Sequence, residues 1–219
     1  MTPDYDAAAT KATETLIRHK ISCAPVDPLP ILKTTPGVLA LTFAEVAISV
    51  GEDRQRVLSS FAADNRDVVT TVCHHEGRLV YIVAYNQRLP FYMLQRGLAR
   101  ELGHIILHHD GSRPESVRAE EALVFARHLI CPRPLIKALQ EALSPLTMET
   151  VGNVTGCYER CLLGIKKTPG AHVPPELNRL VREQFAEYVR NFLDCHSILT
   201  SGDITGPAEF GSYMGNYEE

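Results

Sequence analysis

Between Pro90 and His109 the chain carries Leu94, Leu98, Leu102 and Ile105 at i, i+4, i+8 and i+11, the pattern of a helix that buries one stripe. Beside that stripe the same segment sets Glu101, His104 and His108 at i, i+3 and i+7. At 100° per residue these three side chains fall within about 60° of one another, with Gly97 on the same face. A hydrogen for a side chain at 97 leaves room for a ligand or a second backbone, although glycine weakens a helix. A carboxylate next to imidazoles is what a metal site or a water-activating site needs, one group holding the ion while another accepts a proton. Two plainer explanations stand beside this one. The polar groups would fit a helix–helix seam, and the helix dipole favours histidines such as His108 and His109 near a C-terminus.

The surrounding pattern predicts an α+β domain, mostly helical, with a small antiparallel sheet laid against this helix. Residues 5 to about 19 lack Gly and Pro and read as an opening helix. Three prolines between Cys23 and Pro30 then predict an extended connector. Two short helices hinged near Gly51 follow, and two β-branched runs around Glu76-Gly77 predict a hairpin within Thr70 to Leu89. Past a stop at Asp110 to Ser112, Ser112 and Glu115 make a capping box for a second helix to about Ile130. Its buried stripe is Ala122, Phe125, Ala126, Leu129 and Ile130. Helices are also predicted near 134–143, 154–165 and 175–193. A single domain over 1–200, with its core at about 70–134 and a helical C-terminal part at about 135–195, then leaves 201–219 as a glycine-rich, flexible tail.

Several spaced features taken together resemble the ImmA/IrrE family of metallo-endopeptidases. The hairpin VYIVAYNQRLP supplies Asn86, ARELGHIILHH supplies the helix motif, and EALVFARHLICP supplies Glu121, Phe125, Ala126, Leu129 and Pro132. The likeness covers roughly Thr70 to Pro134. It implies a zincin-like hydrolase core in which Glu101 is the catalytic base and His104 and Glu121 are zinc ligands. It also implies, as partner, a helix-turn-helix repressor of the kind encoded near such proteins on phages and mobile elements. One position departs from the family: Arg100 stands where H-E-x-x-H has its first histidine. A guanidinium stays protonated and has no lone pair for a metal. Three arrangements are then open. Zinc is held by a shifted set of His104, Glu121 and His108; the metal is lost and Arg100 pairs with Glu121 or Glu101; or these are merely polar groups in a seam. The corresponding functions are a metallo-endopeptidase with a degenerate site, a non-catalytic antirepressor or protein-binding module, and, third, a DNA-binding regulator.

The remaining features are weaker. Tyr158 could donate to an oxyanion, but a tyrosine in a helix more often belongs to the core. Cys157 and Cys161 stand four apart, and the six cysteines include no CxxC pair, which favours free thiols over a disulfide framework. Ala47, Gly51 and Val57 have helix-turn-helix spacing, but Glu45, Glu52 and Asp53 beside them would repel phosphate. The net charge of -4 also disfavours direct nucleic-acid binding. No stretch approaches the roughly 20 apolar residues of a membrane span, and the start lacks the basic and apolar regions of a signal peptide, so a cytoplasmic protein is expected.

Overall fold

The computed structural model describes residues 2–50, 67–109, 111–157 and 171–201. Their order is α1 (Tyr5–Arg18), α2 (Pro28–Thr34), β1 (Val38–Thr42), α3 (Phe43–Val50), β2 (Val68–His75), β3 (Arg78–Tyr85), α4 (Phe91–Ile106), α5 (Glu115–Ile130), α6 (Arg133–Ala142), α7 (Met148–Thr155), α8 (Pro175–Gln184) and α9 (Ala186–Ser201). This is the expected α+β class, helical for the most part. The second half of the helix pair near Gly51, Tyr158, Cys161 and the tail lie outside the described residues. No helix among the described residues is long and apolar enough to cross a membrane.

The sheet has three strands in the order β1-β3-β2. The hairpin β2–β3 is antiparallel as expected, but β1 pairs parallel to β3, so the sheet is mixed rather than purely antiparallel. A five-residue strand, VLALT, carries too little alternation to announce itself. The connector also departs from expectation. Asp27 caps α2, its carboxylate accepting from the Leu29 amide, and Pro28 occupies the first turn, where a missing N–H costs nothing. Proline here starts a helix instead of extending the chain.

The register places Val68, Thr70 and Val72 of β2, Tyr81, Val83 and Tyr85 of β3, and Val38 and Ala40 of β1 on one face. Helix α4 lies on that face, and a Cβ at Gly97 would come 2.7 Å from Val68 Cγ2. The glycine is therefore explained by a strand, not by a ligand. On its other side α4 meets α5 at Gly103, where a Cβ would stand 3.0 Å from Phe125 and 3.2 Å from the Ala122 carbonyl. Leu98, Leu102 and Ile105 of α4 and Phe125 and Leu129 of α5 fill the core between them, each contributing roughly 1.5–3 kcal/mol by burial. Helix α1 packs on the far side of α5 through Ala8, Ala9, Ala12 and Leu16. The buried Gln95 donates from α4 to the carbonyls of Val26 and Thr155, tying the connector and α7 to the central helix.

Helix α5 begins at Glu115, with Pro114 as its cap and no side-chain capping bond. The expected capping box is thus replaced by proline's fixed backbone angle at the helix entry.

Candidate functional site

The geometry turns on how α4 ends. The helix stops at Ile106 rather than at His109. The His108 amide donates to the Ile105 carbonyl and the His109 amide to the His104 carbonyl, and His108 sits at φ +51°. These are the bonds and the left-handed residue of a Schellman turn, with histidine where glycine is usual; histidine is among the few non-glycine residues that enter this region readily. One consequence is that His108 leaves the helical face and is exposed to solvent. Another is that the chain doubles back, setting His109 over His104.

The His109 side chain is 2 % exposed. Its Nδ1 lies 2.9 Å from Nδ1 of His104, and its Nε2 lies 2.9 Å from Glu121 Oε2. Glu121, buried on α5, receives three further contacts. The Asp4 amide donates to Oε1 at 2.7 Å, and Arg113 Nη1 donates to Oε1 at 2.8 Å and to Oε2 at 3.0 Å. Glu101 is also buried, and its Oε1 accepts from Arg100 Nη2 at 3.2 Å. It is therefore Arg113, not Arg100, that meets Glu121, while Arg100 takes Glu101. The structure brings Glu101, His104 and Glu121 into one seam, adds His109 and Arg113, and leaves His108 out.

Protonation follows from these partners. Burial alone pushes the Glu121 carboxyl up, but the Asp4 amide, His109 and Arg113 outweigh it and hold its pKa below the usual carboxylate value. Burial lowers the pKa of His104, with Glu101 opposing and His109, Arg100 and Arg118 adding to the effect. Burial likewise lowers that of His109 against the pull of Glu121. At neutral pH both imidazoles are uncharged beside an ionised Glu121. The carboxylate accepts from His109 Nε2–H, so His109 Nδ1 carries the lone pair and accepts from His104 Nδ1–H. The lone pair of His104 is then on Nε2, at the end of a carboxylate–imidazole–imidazole chain.

This arrangement does not fit the zinc that the family likeness implies. Both oxygens of Glu121 are engaged by hydrogen-bond donors, one of them a permanent cation. Arg100 offers no ligand, and its charge lies on Glu101. Among the described residues no group of three or more His, Cys, Asp or Glu is placed to hold a metal ion. Arginine instead supplies the positive charge that buried carboxylates require.

Helical spacing points to Glu101 and His104, and the family resemblance adds Glu121, but neither reaches His109 or Arg113. The signal for His109 was a histidine pair before Asp-Gly, which read as dipole compensation. Arg113 lies in a loop and has no periodicity to betray it. No family model matches the chain, and no curated protein or solved structure matches it either.

Proposed function

We propose that this chain is a non-catalytic, protein-binding module on a peptidase-like core, acting in the cytoplasm as an antirepressor toward a helix-turn-helix repressor. The observation that carries the loss of catalysis is the Glu121 carboxylate, 2 % exposed and held by Arg113, His109 and the Asp4 amide. A ligand set so occupied has no oxygen to offer an ion without first breaking an ion pair, and breaking one partner from a buried pair is costly. The identity of the partner rests on the likeness of RELGH and EALVFARHLICP to the ImmA/IrrE pattern. The test pairs two measurements on the full chain: zinc content after purification without chelator, and incubation with any helix-turn-helix repressor encoded beside its gene. Binding with the repressor left intact and no stoichiometric zinc supports the reading. Repressor cleavage that depends on added zinc overturns it.

One observation favours a second reading. The chain from Glu121 through His109 leaves His104 Nε2 as a neutral base, which would suit metal-free hydrolysis with His104 rather than Glu101 accepting the proton. Repressor cleavage that survives chelation and is lost in His104→Gln would select it.

A further inference from the structure

A cavity lies away from the Glu121 seam, among α6, α7 and α8, with a volume of about 1180 Å³. That exceeds the roughly 300–1,000 Å³ of an ordinary small-molecule pocket, and suits a peptide segment better than a metabolite. Its apolar lining is Ile136, Leu143, Leu146, Met148, Val151 and Val173, buried or half-buried. Its exposed lining includes four cations, Arg133, Lys137, Arg179 and Arg182, and no Asp or Glu is among the described lining residues. Two of the cations are paired outward, Arg179 with Glu183 and Arg182 with Glu141, and Arg133 donates to the Ala171 carbonyl. Counting both carboxylates, the mouth keeps a positive excess of two (four cations less two anions). The complementary occupant is acidic and carries large apolar side chains.

Residues 202–219 have that composition. They contain Asp203, Glu209, Glu218 and Glu219, no Lys, Arg or His, and Phe210, Tyr213, Met214 and Tyr217. They follow α9, which packs on α6 at the side of the cavity. Eighteen residues (219 less 201) reach up to about 60 Å when extended, more than twice the ~24 Å length of α9 itself, so the segment can return from the end of α9 to the mouth. We propose that segment 202–219 docks in cis into the α6–α7–α8 cavity, its aromatic side chains on the aliphatic floor and its carboxylates against Lys137 and the three arginines. This inference is independent of the Glu121 site.

The test uses the full-length chain and chymotrypsin, with cleavage after Phe210, Tyr213 and Tyr217 followed by mass spectrometry. The groove variant Lys137→Glu/Arg179→Glu changes only exposed side chains, and its fold is checked by circular dichroism. The expected result is tail cleavage at least 10-fold faster in the groove variant than in wild type. Adding Asp203→Lys/Glu209→Lys to the groove variant should restore slow cleavage by exchanging the charges. Equal rates in wild type and groove variant overturn the proposal, as does failure of the charge exchange to restore protection. Protection that rises with protein concentration also overturns it, because the groove would then hold the tail of a second copy.

Discussion

Arg113→Ala is the perturbation that most directly tests whether Arg113 balances the buried charge of Glu121. Its guanidinium makes two contacts to Glu121, at 2.8 and 3.0 Å, from a side chain 44 % exposed to one that is 3 % exposed. Removing one partner of a fully buried pair costs about 3–5 kcal/mol, whereas an exposed pair is worth about 0–1 kcal/mol. This pair lies between those limits. The Asp4 amide and His109 remain to satisfy the carboxylate after truncation, which brings the expectation to that for a hydrogen bond to a charged group, about 2 kcal/mol. In a chain of this size that lowers Tm by about 4–8 °C. Urea denaturation of wild type, Arg113→Ala, Glu121→Gln and the double variant closes a cycle in which the two single changes should couple by more than about 1 kcal/mol. Additivity within about 0.5 kcal/mol would refute the reasoning, because it would mean that Glu121 does not depend on the charge of Arg113.

Three further outcomes are expected. Arg100→His combined with Arg113→Ala should bind zinc far more tightly than either single variant in a chelator competition, since one change adds an imidazole and the other frees Glu121; equal affinity in Arg100→His alone would clear Arg113 of any blocking role. Burial, with Arg133 adding to it, lowers the His128 pKa to about 4, so the unfolded chain takes up a proton near pH 6.5 while the folded chain resists until about pH 4. Stability from this group is complete above pH 6.5 and is lost as pH falls toward 4, with a slope of up to ~1.4 kcal/mol per pH unit. His128→Leu should flatten urea-derived stability between pH 7 and 5 by about one proton, and an unchanged slope would count against a buried neutral His128. Gly97→Ala should destabilise by about 1–3 kcal/mol despite alanine's better helix propensity, because its Cβ meets Val68; Val68→Ala in the same chain should recover most of that loss, as read by thermal melts.

What could be read from the sequence was set by periodicity. Helices α4 and α5 repeat their apolar residues over four turns, and the hairpin carries β-branched runs on both sides of Glu76-Gly77; both signals reach the observed elements. The end of α4 was not legible by the same means. Helical spacing projects His108 one turn beyond His104, and it holds only while the helix continues. The Schellman turn exchanges the two histidines, turning His108 out and His109 in, through a backbone angle that no apolar pattern encodes. Val68 opposite Gly97 and the Asp4 amide on Glu121 are tertiary contacts between segments far apart in sequence, and they too are invisible to spacing.

Charge balance explains why such a seam can persist. Glu101 and Glu121 bring two negative charges into a largely buried space, and the neutral histidines offset neither. In a zincin-like site one divalent ion would balance both carboxylates. Here two guanidinium groups do so separately, Arg100 on Glu101 and Arg113 on Glu121. The two substitutes are similarly exposed, 52 % for Arg100 and 44 % for Arg113, but differ in contact: Arg100 holds its partner at a single 3.2 Å distance, whereas Arg113 contacts both oxygens of its own. Loss of Arg100 therefore removes one contact from Glu101, and loss of Arg113 removes two from the more deeply buried Glu121 and leaves it to the Asp4 amide and His109. Metal binding in this seam would require removal of Arg113 as well as a ligand at position 100, since with a ligand at 100 alone a divalent ion and Arg113 would set three positive charges against the two carboxylates.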